Sequence, residues 1–389
     1  MNYKKILAIL YFILFTTPIL SPNVGFRNTI YLYWFIPLFD IDFLKFVIKI
    51  RPSKRLFILM ISSLIIFLLL REFSTILKLG LLAETILYLF YTYKMKYLKY
   101  FFWGINLNVA IASLQFVTYY INPDIATFLG PSNIAKLVWG DHATLTFTNM
   151  FTEFGIVKVS GWSREHGFFN ALMMMSFLLY YYFDFENKNK YQYFVFVLGF
   201  IMSISKNSIL ILFIPIAILI KKYLNKIPIP IAFVLIIIVG CIVGILCENY
   251  GLYDPNVTTN YESFIHRFSG YNVLLNISIS DLLKGISSIG DLPNYIYEIC
   301  PYLSYVVHYL EFCGLPALLI HHGIIVFIVY ILLMNKFLNY KSFGFCVLTL
   351  VTITTTYITL TAFVCVAYFI FIYIENNYSF PSYLESVKL

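Results

Sequence analysis

The sequence predicts an all-α polytopic membrane protein with about 12 transmembrane helices and two larger external loops. Hydrophobic residues make up 60% of the 389 residues, charged residues make up 12%, and the mean hydropathy is +0.82. Soluble globular chains are about 45–50% apolar and about 25% charged. The apolar runs of roughly 15–22 residues have the length of membrane helices and exceed that of barrel strands.

Each predicted span is an apolar run bounded by charged residues or by proline. The twelve runs are 5–22, 27–48, 56–71, 75–93, 100–121, 167–184, 191–204, 206–220, 227–247, 315–335, 343–357 and 359–374. Together they predict a single integral membrane domain over 1–389. Two segments, 122–166 and 248–314, are too polar to span, although residues 263–277 of the second are compatible with a helix.

Lysine and arginine set the predicted orientation of the chain. With the N-terminus inside, the inner segments carry 18 of the 27 basic residues and the outer segments carry 9. This excess follows the positive-inside rule and places both termini inside and both polar segments outside. It also favours two short helices over one long helix in 191–220. Because the basic residues stand in short clusters between apolar runs, the net charge of +8 indicates topology and not nucleic-acid binding.

Three ionisable residues, Arg164, Glu165 and His166, stand directly before the apolar run that begins at Gly167. A charged side chain at the bilayer centre costs about 2.5–3.5 kcal/mol, so the triplet needs either the membrane interface or a wet cavity. At the interface it would anchor a helix end, with Glu165 at the positive end of the helix dipole. The residues alone leave both interpretations open.

A second polar interruption is the stretch SISKNS at 203–208, within otherwise apolar sequence. It fits a tight outer hairpin. It also fits a break between two short helices that faces a polar cavity, where non-helical backbone is tolerated at membrane depth. In the second case Lys206 would stand beside a helix N-terminus, which is a natural site for an anion.

Two further clusters lie in and after the second polar segment. His266 and Arg267 are followed by a pair of glycines, Gly285 and Gly290, an arrangement that also suits a solvated loop with a glycine turn. His308 and Glu311 precede the Gly-Leu-Pro stretch that leads into the next apolar run. His321 and His322 lie beyond it. Cys247, Cys300 and Cys313 fall near the outer side, where a disulfide can form.

In this order, the features resemble the O-antigen polymerase and O-antigen ligase superfamily of bacterial envelope glycosyltransferases, over about residues 160–320. The first 150 residues resemble the family in hydropathy alone. The matching elements are Arg164, Glu165 and Gly167, then Ser203, Ser205 and Lys206, then Arg267, then Gly285 and Gly290, and last the stretch YLEFCGLPALL from Tyr309 to Leu319.

The resemblance implies an oligosaccharide substrate linked to undecaprenol by a diphosphate, handled at the periplasmic face of the bacterial inner membrane. Such a dianion needs cations, and a charge-assisted hydrogen bond to phosphate contributes about 1.5–3 kcal/mol. The expected roles are diphosphate binding by Arg164, Lys206 and Arg267; general-base catalysis by one of Glu165, His166, His308 and Glu311; and glycan stacking by Trp162 and Tyr261. These aromatic residues fit an interfacial belt equally well.

The resemblance favours a polymerase, a glycosyltransferase-type enzyme that uses a lipid-diphosphate-linked donor. The ligases carry a histidine-asparagine pair where this chain has Leu303 and Ser304, and His308 is offset by five residues. The alternatives are an O-antigen ligase and a lipid-linked oligosaccharide flippase. A flippase should have two similar halves with cations along several helices, whereas the unusual charges here gather at the outer mouth.

No cofactor is expected, and no Asp-x-Asp motif lies in the outer segments, so the reaction is predicted to be metal-independent. The expected partners are the lipid-linked oligosaccharide, membrane lipids, a chain-length regulator and a flippase, with no nucleic acid.

Overall fold

The described residues are mostly helical, and they include two short antiparallel pairs of strands. The computed structural model describes residues 3–24, 30–70, 73–143, 149–153, 156–183, 188–204, 219–254, 262–286, 294–301, 312, 314–337 and 362–375.

Four helices of the described residues are long and apolar enough to cross a membrane, as expected of an integral membrane protein. They are Thr75–Lys94, Lys99–Ile121, Ile229–Asn249 and Gly314–Lys336. A fifth candidate is the pair Ile41–Lys49 and Lys54–Leu69, if these two helices, bent by 111°, form one span. The predicted count of 12 spans is not confirmed, because several predicted runs form shorter helices or lie outside the described residues.

The chain divides into two compact units. The first takes its residues from Met1–Pro52, Leu77–Ile211 and Cys365–Leu389. Its helices are α1 (Tyr3–Thr16), α2 (Ile41–Lys49), most of α4 (Phe73–Lys94), α5 (Lys99–Ile121), α6 (Pro123–Phe128), α7 (Pro131–Trp139), α8 (His166–Tyr182), α9 (Lys190–Met202) and most of α16 (Ala362–Glu375). Its strands pair as β1 (Asn23–Val24) with β2 (Ile30–Tyr31) and as β3 (Phe151–Glu153) with β4 (Ile156–Lys158).

The second unit takes its residues from Ser53–Ile76 and Leu212–Val364. Its helices are α3 (Lys54–Leu69), α10 (Lys221–Leu224), α11 (Ile229–Asn249), α12 (Glu262–Asn276), α13 (Ile279–Lys284), α14 (Asn294–Ile299) and α15 (Gly314–Phe337). Helix α12 confirms the helix-compatible run predicted at 263–277.

Side-chain caps explain where several helices begin. The carboxylate of Asp40 accepts hydrogen bonds from the backbone N–H groups of Asp42 and Phe43 at the start of α2. Ser53 caps α3 in the same way, through the N–H of Leu56, and Asn189 caps α9. Such caps satisfy N–H groups that have no partner within the helix.

The predicted spans 5–22 and 27–48 are wrong as continuous helices. Helix α1 ends at Thr16, because Pro18 disfavours helical backbone at the residue before it. Residues Leu32–Phe39 form a 3-10 helix that contains Pro37, and the next helix restarts at the cap of Asp40. Proline lacks an N–H donor, which an α-helix interior requires.

The core of the first unit is aromatic. Helix α1 packs along α5, where a Cβ at Gly104 would lie 2.8 Å from the backbone oxygen of Phe12. The fully buried rings of Tyr11, Phe12, Tyr88 and Phe101 pack edge-to-face or tilted in this region. Edge-to-face pairs of this kind stabilise the fold by about 0.5–1.5 kcal/mol beyond the contribution of the apolar area that they bury.

In the second unit, glycines let two helices approach closely. Gly240 of α11 faces the ring of Tyr271 on α12, and Gly244 faces the backbone of Asn272 at 3.0 Å. Helix α12 therefore packs against the middle of a membrane-length helix, although it lies in the segment 248–314 that was too polar to span. The placement of that segment outside the membrane stays a prediction.

The buried core of the second unit includes two of the three cysteines considered for a disulfide. Cys247 and Cys300 are both buried and both free. Cys313 lies outside the described residues, so no disulfide is formed among the described thiols of this cluster.

Candidate functional site

The turn Ser160–Ser163, which precedes the ionisable triplet, is held by two amide side chains of α5. Asn108 accepts a hydrogen bond from the backbone N–H of Trp162 at 2.7 Å, and its own N–H group donates to Ser163 Oγ at 3.3 Å. Gln115 donates to the backbone oxygen of Gly161 at 3.1 Å. Both amides are 0% exposed. We call this arrangement the amide clamp.

The amide clamp fixes the depth of the turn. At 1.5 Å per residue, Asn108 lies about 14 Å and Gln115 about 24 Å from the first residue of α5, which is about 35 Å long. The turn therefore runs beside the middle and later part of a candidate span. At this depth the two amides satisfy irregular backbone, which lipid could not do.

Gly161 is required by the geometry of the turn. Its φ of +56° lies in the left-handed region, and a Cβ there would lie 2.7 Å from the backbone oxygen of Asn108 and also overlap the Asn108 side chain. Residues with a side chain rarely adopt this φ, and none would fit against α5 without displacing the clamp.

Arg164, Glu165 and His166 follow the turn directly, and all three are partly exposed. Helix α8 begins at His166, with Glu165 as its cap residue, but the Glu165 carboxylate makes no bond to the helix N–H groups. The Arg164 guanidinium lies over the ring of Phe168 at 5.7 Å. A cation, a carboxyl group and an imidazole thus stand together at a helix N-terminus, which attracts anions.

The far side of this region is closed by the end of α9. The backbone N–H of Val159 donates to Met202 O at 3.1 Å, and the Asn170 side chain of α8 donates to Ser203 Oγ at 3.2 Å. Ser203 is fully buried, at 0% exposure. The helix ends at Met202, with Ser203 as its cap residue, at the start of the interruption 203–208, and this end lies beside the residues that lead into the turn.

Lys158 is a residue whose burial the sequence does not reveal. It lies at the end of β4, two residues before the turn, and is only 7% exposed. In the sequence it is one of several basic residues in a polar segment, and nothing there distinguishes it from a solvated lysine. Asn108 and Gln115 did leave a signal, because two amides seven residues apart in an apolar run share one helix face.

Trp162 is partly exposed, and its indole N–H is buried without a hydrogen-bond partner among the described residues. Tyr250 is 77% exposed, whereas Tyr253 is 4% exposed and donates to Gly244 O at 3.3 Å. Burial raises the pKa of the Tyr253 hydroxyl well above its ordinary value. Trp162 therefore lies on the turn, whereas Tyr253 belongs to the hydrophobic core of the second unit.

Arg267 lies in the second unit, on α12, and is 8% exposed. The alternative of a solvated loop for this arginine is therefore wrong. A guanidinium is almost never buried without a partner, so its burial indicates a specific role for the charge in this unit.

Helix α15, in the same unit as α12, is broken at Gly323. Gly323 has φ +77° and ψ 172°, which is not helical, and Gly285 has φ +79°. A Cβ on Gly285 would lie 2.7 Å from Gly323 N, and a Cβ on Gly323 would lie 2.5 Å from Leu283 O. The N–H of Ile286 donates to Ile320 O at 2.6 Å. We call this contact the glycine crossing.

Two histidines stand at the break. His321 Nδ1 lies 3.0 Å from Ile286 O, and His322 Nδ1 lies 3.2 Å from Thr75 Oγ1. The sequence identified Gly285 as a candidate but not the residue that it contacts, which the structure shows to be Gly323.

Several predicted site residues lie outside the described residues, so their placement stays a prediction: Lys206, Tyr261, His308 and Glu311. Gly290, from the resemblance, lies outside them too. Within the described part of the chain, no three His, Cys, Asp or Glu side chains lie close enough to hold a metal ion. Comparison of the chain with protein-family models, curated proteins and solved structures gives no match.

Proposed function

We propose that the chain is a polymerase of O-antigen or a related surface polysaccharide in the bacterial inner membrane, with about 12 spans and its site facing the periplasm. The observation that carries the proposal is the amide clamp. It holds Arg164, Glu165 and His166 at a helix N-terminus beside the middle of a candidate span. A soluble sugar has no need of a site at that depth, but a lipid-linked sugar does.

The chemistry of the site suits a lipid diphosphate. Arg164 brings a planar cation that can bind two phosphate oxygens, and the first N–H groups of α8 have no partner within the helix. Lys158 adds a second, buried basic residue to the same unit. A diphosphate carries enough negative charge to offset the cost of placing such cations at membrane depth.

In the proposed reaction, a hydroxyl oxygen of the acceptor repeat attacks the anomeric carbon of the growing glycan. The bond from that carbon to the diphosphate oxygen breaks, and undecaprenyl diphosphate leaves with the bonding electrons. The hydroxyl proton passes to a base, for which Glu165 and His166 are the described candidates. Arg164 stabilises the charge that develops on the leaving diphosphate.

Two other functions use the same substrate. An O-antigen ligase transfers the finished glycan to lipid A-core, and a flippase moves the lipid-linked repeat across the membrane without chemistry. Leu303 and Ser304 stand where the ligase pair would be, which is the feature that favours the polymerase over the ligase.

The lipopolysaccharide of a deletion strain distinguishes the three functions. Loss of a polymerase leaves lipid A-core capped with a single repeat, which is the expected result. Uncapped core together with long chains stranded on undecaprenyl diphosphate would assign the ligase instead. A lipid-linked single repeat trapped at the cytoplasmic face would assign the flippase.

A further inference from the structure

A second polar region of the first unit lies on helix α4. Glu84 stands about ten residues before Lys94, so it lies about 15 Å along the helix from that end, near the middle of a candidate span. Its Oε1 atom is buried and has no hydrogen-bond partner among the described residues. A carboxylate in hydrocarbon costs about 2.5–3.5 kcal/mol, and carboxyls kept at that depth mark proton or ion pathways.

Three buried hydroxyl groups lie on the same part of α1 and α4: Thr85 is the residue after Glu84, Tyr88 is one turn further along α4, and Tyr11 is on α1. Tyr11 of α1 and Tyr88 are 0% exposed, and Thr85 is 1% exposed. The Tyr88 hydroxyl has no hydrogen-bond partner in the described part of the chain, whereas the hydroxyls of Tyr11 and Thr85 interact with each other. The rings of Tyr11 and Tyr88 pack edge-to-face at 4.8 Å, and Tyr11 interacts electrostatically with Glu84.

Buried hydroxyls almost always have a partner, which is either protein or ordered water. The Glu84 Oε1 atom and the Tyr88 hydroxyl, one helical turn apart on α4, are therefore best satisfied by water, since a buried water typically makes about three hydrogen bonds to such groups. This second, independent observation distinguishes Glu84 from a carboxyl that is merely tolerated.

The polar groups continue towards one end of α4. Glu84, Tyr88 and Tyr91 are spaced by four and three residues and share one helix face. The Tyr91 hydroxyl donates to Asp40 Oδ1 at 3.4 Å, and Asp40 Oδ2 is buried without a partner among the described residues. Asp40 lies two residues before Asp42, which forms an ion pair with Lys4. This end therefore faces the side of the membrane that carries the N-terminus.

We propose that Glu84 is a proton-binding site reached by water from the N-terminal side of the membrane, along the face of Tyr88, Tyr91 and Asp40. A proton passes from water to a carboxylate oxygen of Glu84, and no other bond changes. This site is separate from the amide clamp, and it does not depend on the function proposed for the chain.

The other titratable groups around the site favour a protonated, neutral Glu84 over a permanently charged carboxylate. Tyr11 on α1, Tyr33 on the 3-10 helix and Cys365 on α16 interact with one another in this core, and Tyr11 and Cys365 also interact with Thr85. All three are neutral at neutral pH, so none of them offsets a negative charge on Glu84. The Lys4 ammonium group interacts electrostatically with the Asp40 carboxylate, which lies farthest from Glu84 in this row of polar groups.

Dicyclohexylcarbodiimide tests the site, because this apolar reagent adds to protonated carboxyls in apolar surroundings and leaves an acylurea that mass spectrometry can locate. The full-length protein is reconstituted in vesicles of both orientations, and the pH is varied on one side at a time. We expect an adduct on Glu84 whose yield falls at least tenfold as the pH on the N-terminal side is raised. A water-soluble carbodiimide should give little adduct there.

Two variants sharpen the test. Glu84→Gln should remove the adduct. Tyr88→Phe should slow the response of the labelling to a pH jump several-fold, whereas Tyr93→Phe, whose hydroxyl contacts Tyr373 instead, should not. The wild-type labelling alone would overturn the proposal if Glu84 gave no adduct, if its yield were independent of pH, or if it followed only the pH of the opposite side.

Discussion

The amide clamp and the glycine crossing both hold irregular backbone beside a membrane-length helix, but they use different chemistry. In the amide clamp, the side chains of Asn108 and Gln115 satisfy the peptide groups of Gly161 and Trp162. In the glycine crossing, the backbone of Gly285 packs directly on the backbone of the break at Gly323. One region depends on hydrogen bonds from side chains and the other on the absence of side chains.

The difference predicts how each region tolerates change. A side-chain amide can rotate or be replaced by another polar group, so each substitution in the amide clamp should cause only a partial loss of stability. Backbone atoms cannot move aside without moving their helix, so a single added side chain should disrupt the whole crossing. The two units also carry one candidate arginine each, Arg164 in the first and Arg267 in the second, which allows the roles of these arginines in activity to be compared.

The largest expected effect is on activity. Arg164→Ala and Arg267→Ala should each abolish polymer, about 100-fold or more, because removal of one group that stabilises developing charge typically costs that much. Lysine should restore activity only in part, since it replaces a two-pronged cation with a point charge. The readout is the lipopolysaccharide ladder at matched protein levels in the membrane. A normal ladder from either alanine variant would exclude that arginine from the site.

Gly285→Ala should cause the largest loss of stability, about 2–5 kcal/mol, from a strained φ together with contacts on backbone atoms. The matched control is Gly251→Ala in the same unit, where φ is +65° and the added Cβ meets nothing within 4 Å. That control should lose only the strain, about 1–2 kcal/mol. Thermal unfolding of the purified protein in detergent measures both. Equal losses would mean that the close contact contributes nothing to the crossing.

Gly161→Ala should be less damaging than Gly285→Ala, because part of the obstruction is the Asn108 side chain, which can rotate away. We expect a loss of about 2–3 kcal/mol, from φ strain and one broken hydrogen bond. Gly140→Ala, with φ +53° and open space around it, is the control in the same unit. If Gly161→Ala were as harmful as Gly285→Ala, the two regions would not differ as argued.

The smallest effects should come from the polar residues of α5. Asn108→Ala leaves Trp162 N–H and Thr16 O without their partner and should cost about 1–3 kcal/mol. Asn106→Ala, two residues away, loses only its paired bonds to Gln192 and should cost about 0.6 kcal/mol, the average for interhelical bonds in membranes. Equal losses in the same unfolding assay would show that the turn gains nothing from the clamp.

The sequence predicted the helices that are apolar throughout and bounded by charge. Helix α5, at Lys99–Ile121, was expected at 100–121, and α9, at Lys190–Met202, was expected at 191–204. The span predicted at 27–48 was wrong, because the apolar run continues through Pro37 and Asp40 although the α-helix does not. Hydropathy records the environment of a segment and not its backbone.

The candidate site could be predicted as a set of residue types but not as an assembly. Arg164, Glu165 and His166 stood out because they are ionisable next to an apolar run. The clamp could not be inferred, since it joins residues more than 45 positions apart in the chain. The break at Gly323 was also hidden, because an apolar helix and a broken apolar helix share one hydropathy pattern, and a positive φ at glycine leaves no trace in it.

Helices α8 and α9 are short, and their length has a consequence for the bilayer around them. With 17 and 13 residues, they are about 26 and 20 Å long, less than the roughly 30 Å thickness of the hydrocarbon core. Lipids that border such a helix pair thin locally to avoid exposing polar ends. If both helices cross the membrane, a lipid headgroup in that thinned patch would sit deeper than its neighbours, closer to the level of Arg164.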